Sequence, residues 1–174
     1  MKSHKYLIAG SLVAVLIIAV FLLVVLPSML MDDSAKFKEA GALYSSSVDL
    51  ANEGKYTEAL DASDKALKLN VTSMTGLIQS NRAGILVMMN RNEEAIAASD
   101  AALAVEGNLT AVHSIAWYNK GNALYALGRI SDAQSAYDHA IALDNTLIPP
   151  NMSNNITATP TRVIVVTSIP KTLP

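Results

Sequence analysis

Apolar residues recur along residues 34–145 at the three- and four-residue steps that place side chains on one face of an α-helix. The clearest stretch runs from Trp117 to Asp144 and holds two such faces, one on each side of Gly128. Glycine lacks a Cβ and adopts the left-handed conformation found at helix ends, so Gly128 predicts a turn. The pattern therefore predicts a helical hairpin whose second helix has Ser131 as its N-cap.

The second helix of this hairpin has two copies upstream. The same sequence pattern begins at Ala59, Ala95 and Ala133, with an aspartate five residues later and an alanine seven residues later. The copies lie 36 and 38 residues apart, a period that is typical of stacked helical arrays. Since one hairpin cannot bury its apolar face alone, we expect three of them to stack into one core.

The third copy resembles the tetratricopeptide repeat, a helix-turn-helix unit of about 34 residues. Trp117, Gly121, Ala133 and Tyr137 fall on the family's pattern, with Tyr137 in place of phenylalanine. Positions that depart from it are Lys120, Leu124 and Asn145. The resemblance implies an all-α fold, a right-handed α-solenoid of three stacked helix-turn-helix repeats. The repeats that it implies are about 34–72, 73–107 and 110–145.

The chain begins with a short basic segment, residues 1–6, followed by an uncharged apolar run over residues 7–26. Twenty helical residues extend about 30 Å, the thickness of a bilayer's hydrocarbon core, so the run predicts one transmembrane helix. Lys2 and Lys5 leave a cleaved secretory signal as the alternative. A linker over residues 27–33 would then hold the repeats close to the membrane, with the first repeat helix starting at an N-cap on Ser34.

Residues 146–174 form a tail rich in Pro, Thr and Asn, which predicts irregular structure. Its apolar run, Val163–Val166, leaves three alternatives open: covering the last helix, adding to a sheet edge, or having no fixed structure. Candidate glycosylation sequons are Asn70, Asn108, Asn151 and Asn155. If these sequons are glycosylated, the repeats lie outside the cytoplasm. The alternative is that Thr72 and Thr110 are present only as helix caps. We therefore expect a single-pass cell-membrane protein with an extracytoplasmic repeat domain.

The sequence contains no phosphate loop, nucleophile elbow or dinucleotide fingerprint. None of its three histidines has a second ligand at the spacing of a metal site. Without Lys2 and Lys5, 13 − 2 = 11 basic residues remain against 15 acidic ones, and a net charge of −4 disfavours nucleic acid. We expect no catalytic residues, no metal and no cofactor.

In tetratricopeptide proteins the first helix of each repeat lines a concave groove that holds a peptide or a partner helix. The groove residues that the resemblance implies are Tyr44, Val48, Ala51, Ser80, Gly84, Val87, Tyr118, Asn122 and Tyr125. The alternative is that some of them only pack between repeats. We expect a non-catalytic, membrane-anchored adaptor that binds a protein or peptide. The second hypothesis is a structural role, in which repeat faces of several copies stack into a membrane-attached homo-oligomer.

Overall fold

The computed structural model of the protein describes residues 18–19, 26–107 and 109–150, and over these residues it contains helices and turns but no strand. The helices with defined bounds are α1 (Leu26–Asn52), α2 (Tyr56–Lys68), α3 (Thr72–Met88), α4 (Asn92–Leu103), α5 (Thr110–Ala126) and α6 (Ile130–Leu143). The all-α prediction is thus confirmed for the described residues. The chain divides into two compact units, residues 1–38 and 39–174.

Turns of one geometry join α1 to α2, α3 to α4, and α5 to α6. Gly54, Asn90 and Gly128 occupy the same place in these turns, with φ angles of 76°, 56° and 74°. In each turn the next amide N–H donates to a carbonyl five residues back, over 2.9 Å: Lys55 to Leu50, Arg91 to Leu86, and Arg129 to Leu124. This Schellman motif satisfies carbonyls that the helix end leaves unpaired. The turn predicted at Gly128 is confirmed, and Asn90 adopts the conformation without being glycine.

Helices that follow one another pack together from α2 to α6, and α3 also packs on α5. The repeated alanines are fully buried, and they are Ala59, Ala66, Ala95, Ala102, Ala133 and Ala140. Small side chains let helices approach to about 8–10 Å, which explains their recurrence. In the first pair Ser47 Oγ lies 2.7 Å from Ser63 Oγ and donates to the carbonyl of Ala59 at 2.8 Å.

The predicted N-caps are wrong. Helix α1 begins at Leu26, so it includes Ser34 and the residues predicted as a linker, 27–33. Helix α6 begins at Ile130, because the Schellman turn fixes the backbone at Gly128 and places Arg129, not Ser131, at the cap. Thr72 and Thr110 are the first residues of α3 and α5 rather than their caps.

Several predicted features lie outside the described residues. They are the basic segment 1–6, the predicted transmembrane run 7–26 apart from residues 18–19 and 26, Asn108, and the tail after residue 150 with Val163–Val166, Asn151 and Asn155. Among the helices that are described, none combines the length and the apolar character needed to cross a bilayer.

Candidate functional site

The residues predicted to line a groove are mostly buried. Ala51 is half-buried, and the other eight are buried. In the first pair, Tyr44 and Val48 pack in one apolar cluster with Met74 and Ile78 of α3. Burial raises the pKa of the Tyr44 hydroxyl far above its usual range, because the apolar surroundings disfavour the charged phenolate.

In the second pair, Ser80 links α3 to α5. Its hydroxyl donates to the carbonyl of Val112 at 3.4 Å, and its own carbonyl accepts the side-chain amide of Asn119 at 3.1 Å. Val87 packs with Ala123 of α5 in a second apolar cluster. These contacts hold the first helices of the second and third pairs side by side.

In the third pair, Tyr118 contacts the chain that follows α6. Its hydroxyl donates to the backbone carbonyl of Ile148 at 2.8 Å. Leu147, only 9% exposed, packs in one cluster with Tyr118 and Tyr125. A predicted groove residue therefore binds a backbone carbonyl, and in this structure that carbonyl belongs to the same chain.

Asn122, also predicted to line the groove, is bound inside the third pair. Its Oδ1 accepts a hydrogen bond from the hydroxyl of Tyr137 at 2.8 Å. The ring of Tyr137 lies directly on Gly121, where there is no side chain to obstruct it, and meets the ring of Tyr118 edge-on at 5.4 Å. Burial raises the pKa of the Tyr137 hydroxyl far above its usual range. The sequence placed Gly121 and Tyr137 on the family's pattern, but it indicated neither their contact nor the bond of Tyr137 with Asn122.

A polar cavity of about 340 Å³ lies between α4, α5 and α6. Trp117 stacks on His139 with ring centroids 4.5 Å apart, and Lys120 lies 5.1 Å from the Trp117 ring. Lys120 is paired with Asp100 at 2.6 Å, so its charge is already balanced. No sequence pattern indicated this cavity, because its residues come from three helices. In the ranges that the structure describes, no group of three His, Asp or Glu side chains could hold a metal ion.

The third helix pair matches a known family. Residues 114–147 match the tetratricopeptide repeat. This segment contains most of α5 and the whole of α6, including Trp117, Gly121 and Tyr137. No curated protein matches the chain significantly. The six helices of the described residues are consistent with further units of the same kind, and the match to the tetratricopeptide repeat itself covers residues 114–147.

Proposed function

We propose that the chain is a non-catalytic, membrane-anchored module that binds a protein or peptide through its helical repeats. The observation that carries this proposal is the match of residues 114–147 to the tetratricopeptide repeat, a unit whose arrays present extended surfaces to protein partners. The uncharged apolar run over residues 7–26 supports the anchor.

The partner surface is proposed to follow α1, α3 and α5, the first helices of the three pairs. Support comes from Tyr118, whose hydroxyl already binds a backbone carbonyl, the group that every extended peptide offers. Tyrosine combines a rigid apolar ring with a hydrogen-bonding hydroxyl, so it suits recognition that depends little on the partner's sequence. Ala51, at the end of α1, is the predicted groove residue with the most accessible surface.

An extracytoplasmic position of the repeats is part of the proposal. The sequon residue Asn70 is exposed and lies in the turn between α2 and α3, with a φ of 54°. Exposed turns are the sites at which glycans are accommodated without disturbing a core. The other three sequons, at Asn108, Asn151 and Asn155, support the proposal by sequence only.

Site-specific photocrosslinking in native membranes tests the surface. A benzophenone amino acid at Ala51 should yield an adduct with a partner protein, whereas the same group at Lys65 should not. Lys65 is the matched control, because its side chain is 58% exposed on α2, a second helix. Identical adducts from both positions, or none from Ala51, would show that the assigned surface is wrong.

Self-assembly is the second candidate function. Two apolar side chains, one at the end of α6 and one shortly after it, are accessible to another copy: Leu143 is 40% exposed and Ile148 is 77% exposed. A membrane-attached homo-oligomer would bury them. Analytical ultracentrifugation of the full chain in detergent distinguishes the two functions, since a monomer at every concentration removes the support for assembly.

A further inference from the structure

We propose that the tail, residues 146–174, is a tethered ligand that occupies the groove of its own chain and competes with the partner. This inference rests on the proposed function, because the tail and the partner would use the same surface of α5. The juxtaposition that carries it is the hydrogen bond from Tyr118 to Ile148, together with the burial of Leu147 in one cluster with the predicted groove residues Tyr118 and Tyr125.

The chain turns back as soon as α6 ends. Asp144 Oδ1 accepts two hydrogen bonds from Thr146, one from the backbone N–H at 3.0 Å and one from the hydroxyl at 2.7 Å. The backbone N–H of Leu147 donates to the carbonyl of Asp144 at 3.2 Å. The bonds from Thr146 also lower the pKa of the Asp144 carboxyl, since they favour its charged form. The turn directs the following residues onto the repeats rather than away from them.

The residues after the turn lie on α5 as an irregular peptide. Leu147 is buried in the apolar cluster that contains Tyr118 and Tyr125, whereas Ile148 contributes its backbone carbonyl and leaves its side chain largely exposed. Pro149 and Pro150 follow, both half-buried and outside any helix. Proline favours extended backbone and has no N–H to satisfy, so this segment has the chemistry of a peptide ligand.

The second pair shows a related contact within the fold. Ser80 donates to the carbonyl of Val112, at the beginning of α5, as Tyr118 donates to the carbonyl of Ile148. Leu147 and Ile148 thus take the place on α5 at which the first helix of a further repeat would begin. A purely structural cap would end at this place on α5, whereas a tethered ligand would continue along the groove. Binding of a separate tail peptide distinguishes the two.

Length and charge both suit a longer contact. After Pro150, 24 residues remain, and an extended chain of that length reaches about 80 Å, several times the spacing of neighbouring helices. Residues 39–145 contain 7 Lys and Arg and 13 Asp and Glu, a net charge of 7 − 13 = −6. The tail contains Arg162 and Lys171 and no acidic residue, a net charge of +2. The opposite charges favour association of the tail with the repeats.

Binding of the tail in trans tests the proposal. The probe is a fluorescein-labelled synthetic peptide of residues 146–174, and its anisotropy is measured with the detergent-solubilised chain ending at Asn145 and with the full chain. We expect the shortened chain to bind the peptide at least about ten-fold more tightly than the full chain, whose own tail competes at high effective concentration. A scrambled peptide is the control. Tyr118→Phe in the shortened chain should weaken binding about two- to ten-fold, since it removes only the hydroxyl.

Two substitutions in the full chain keep the test independent of truncation. Leu147→Ala removes most of the buried side chain that holds the tail on α5, so the full chain should bind the peptide several-fold more tightly. Ile148→Ala should leave binding unchanged, because Ile148 is held through its backbone. Circular dichroism must show wild-type helicity for each variant that is compared. A folded shortened chain that binds no peptide, or a full chain that binds it equally well, overturns the proposal and leaves only a structural cap.

The peptide assay does not depend on the identity of a partner. Tyr118-dependent peptide binding without a groove adduct at Ala51 would support the tethered tail and count against the proposed partner function. Groove adducts at Ala51 without peptide binding would overturn the tethered tail and support the partner function.

Discussion

Gly121→Ala tests how the third helix pair is packed. A Cβ on Gly121 would lie 2.7 Å from both Cδ1 and Cε1 of Tyr137, and 3.0 Å from its Cζ. The ring has little freedom to retreat, because it is fully buried and its hydroxyl is bonded to Asn122. The substitution therefore forces either the ring or the helix to shift.

The expected magnitude follows from three opposing effects. Overpacking a core by one methyl group costs about 1–3 kcal/mol. Loss of the Tyr137–Asn122 hydrogen bond adds about 1 kcal/mol, whereas alanine in place of glycine inside a helix returns about 1 kcal/mol. We expect Gly121→Ala to lower the free energy of unfolding by about 1–3 kcal/mol. Crowding is the largest of the three effects. The added Cβ would lie against the Tyr137 ring, which is fixed at one end by its own backbone and at the other by the hydrogen bond to Asn122.

Urea denaturation of the full chain, followed by circular dichroism, measures this change. The second pair has alanine at Ala83 and serine at Ser99, the positions that correspond to Gly121 and Tyr137, so the double variant Gly121→Ala/Tyr137→Ser copies it. In the Tyr137→Ser background the alanine should be neutral or stabilising. The coupling between the two substitutions should be about 1–4 kcal/mol, the difference between the cost of the alanine in the two backgrounds.

Gly76→Ala is the matched control. It lies inside α3, and a Cβ there would meet its nearest atoms, in the side chains of Leu109 and Val105, at 3.4 Å and 3.5 Å, which is ordinary contact. We expect it to be neutral or to stabilise the fold by up to about 1 kcal/mol. Crowding by the Tyr137 ring is refuted if Gly121→Ala is as stable as the wild type. It is also refuted if Gly121→Ala costs the same free energy in the Tyr137→Ser background as in the wild type.

Three further predictions concern other parts of the repeats. Ser99 is buried, and its Oγ has no hydrogen-bond partner among the described residues, so Ala83→Ser should supply one and raise the free energy of unfolding by about 0.5 kcal/mol in urea denaturation. Burial raises the pKa of Tyr137, so the folded chain favours the neutral hydroxyl. This contribution to stability is complete below the unfolded pKa of about 10, and stability should fall as pH rises above that value. Tyr137→Phe should lessen the fall relative to wild type. Thr72→Ala destroys the sequon at Asn70 and should abolish a glycosidase-sensitive gel shift. Because the side chain of Thr72 is exposed, the free energy of unfolding should change by less than about 0.5 kcal/mol. A wild-type chain without that shift removes the support for glycosylation at this sequon.

The helix pairs were predictable because their signals are local. A residue without Cβ at Gly128 and the three- and four-residue apolar spacing depend only on neighbours along the chain. Asn90 adopts the same left-handed conformation, yet asparagine is a weaker signal for it than glycine. Helix starts were less predictable, because the turn before α6, and not the side chain of Ser131, decides where that helix begins.

The contacts of the predicted groove residues could not be predicted to the same degree. The resemblance placed Tyr118 and Asn122 on one helix, but not the bonds that they make. The hydroxyl of Tyr118 donates to a backbone carbonyl 30 residues away, and Asn122 accepts a hydrogen bond from the hydroxyl of Tyr137 on the next helix. Such contacts depend on how helices and the tail fold back, and no spacing along the chain encodes them.

The sequence by itself determined the helical class, the three-fold duplication and the small residues at helix crossings, since periodicity and side-chain size act within a few residues of each position. Only the tertiary structure decided that Leu147 returns to α5, that Tyr118 is covered by the chain's own backbone, and that Trp117, His139 and Lys120 share one cavity. The physical reason is that burial and hydrogen bonding between distant segments depend on the packing of all helices at once.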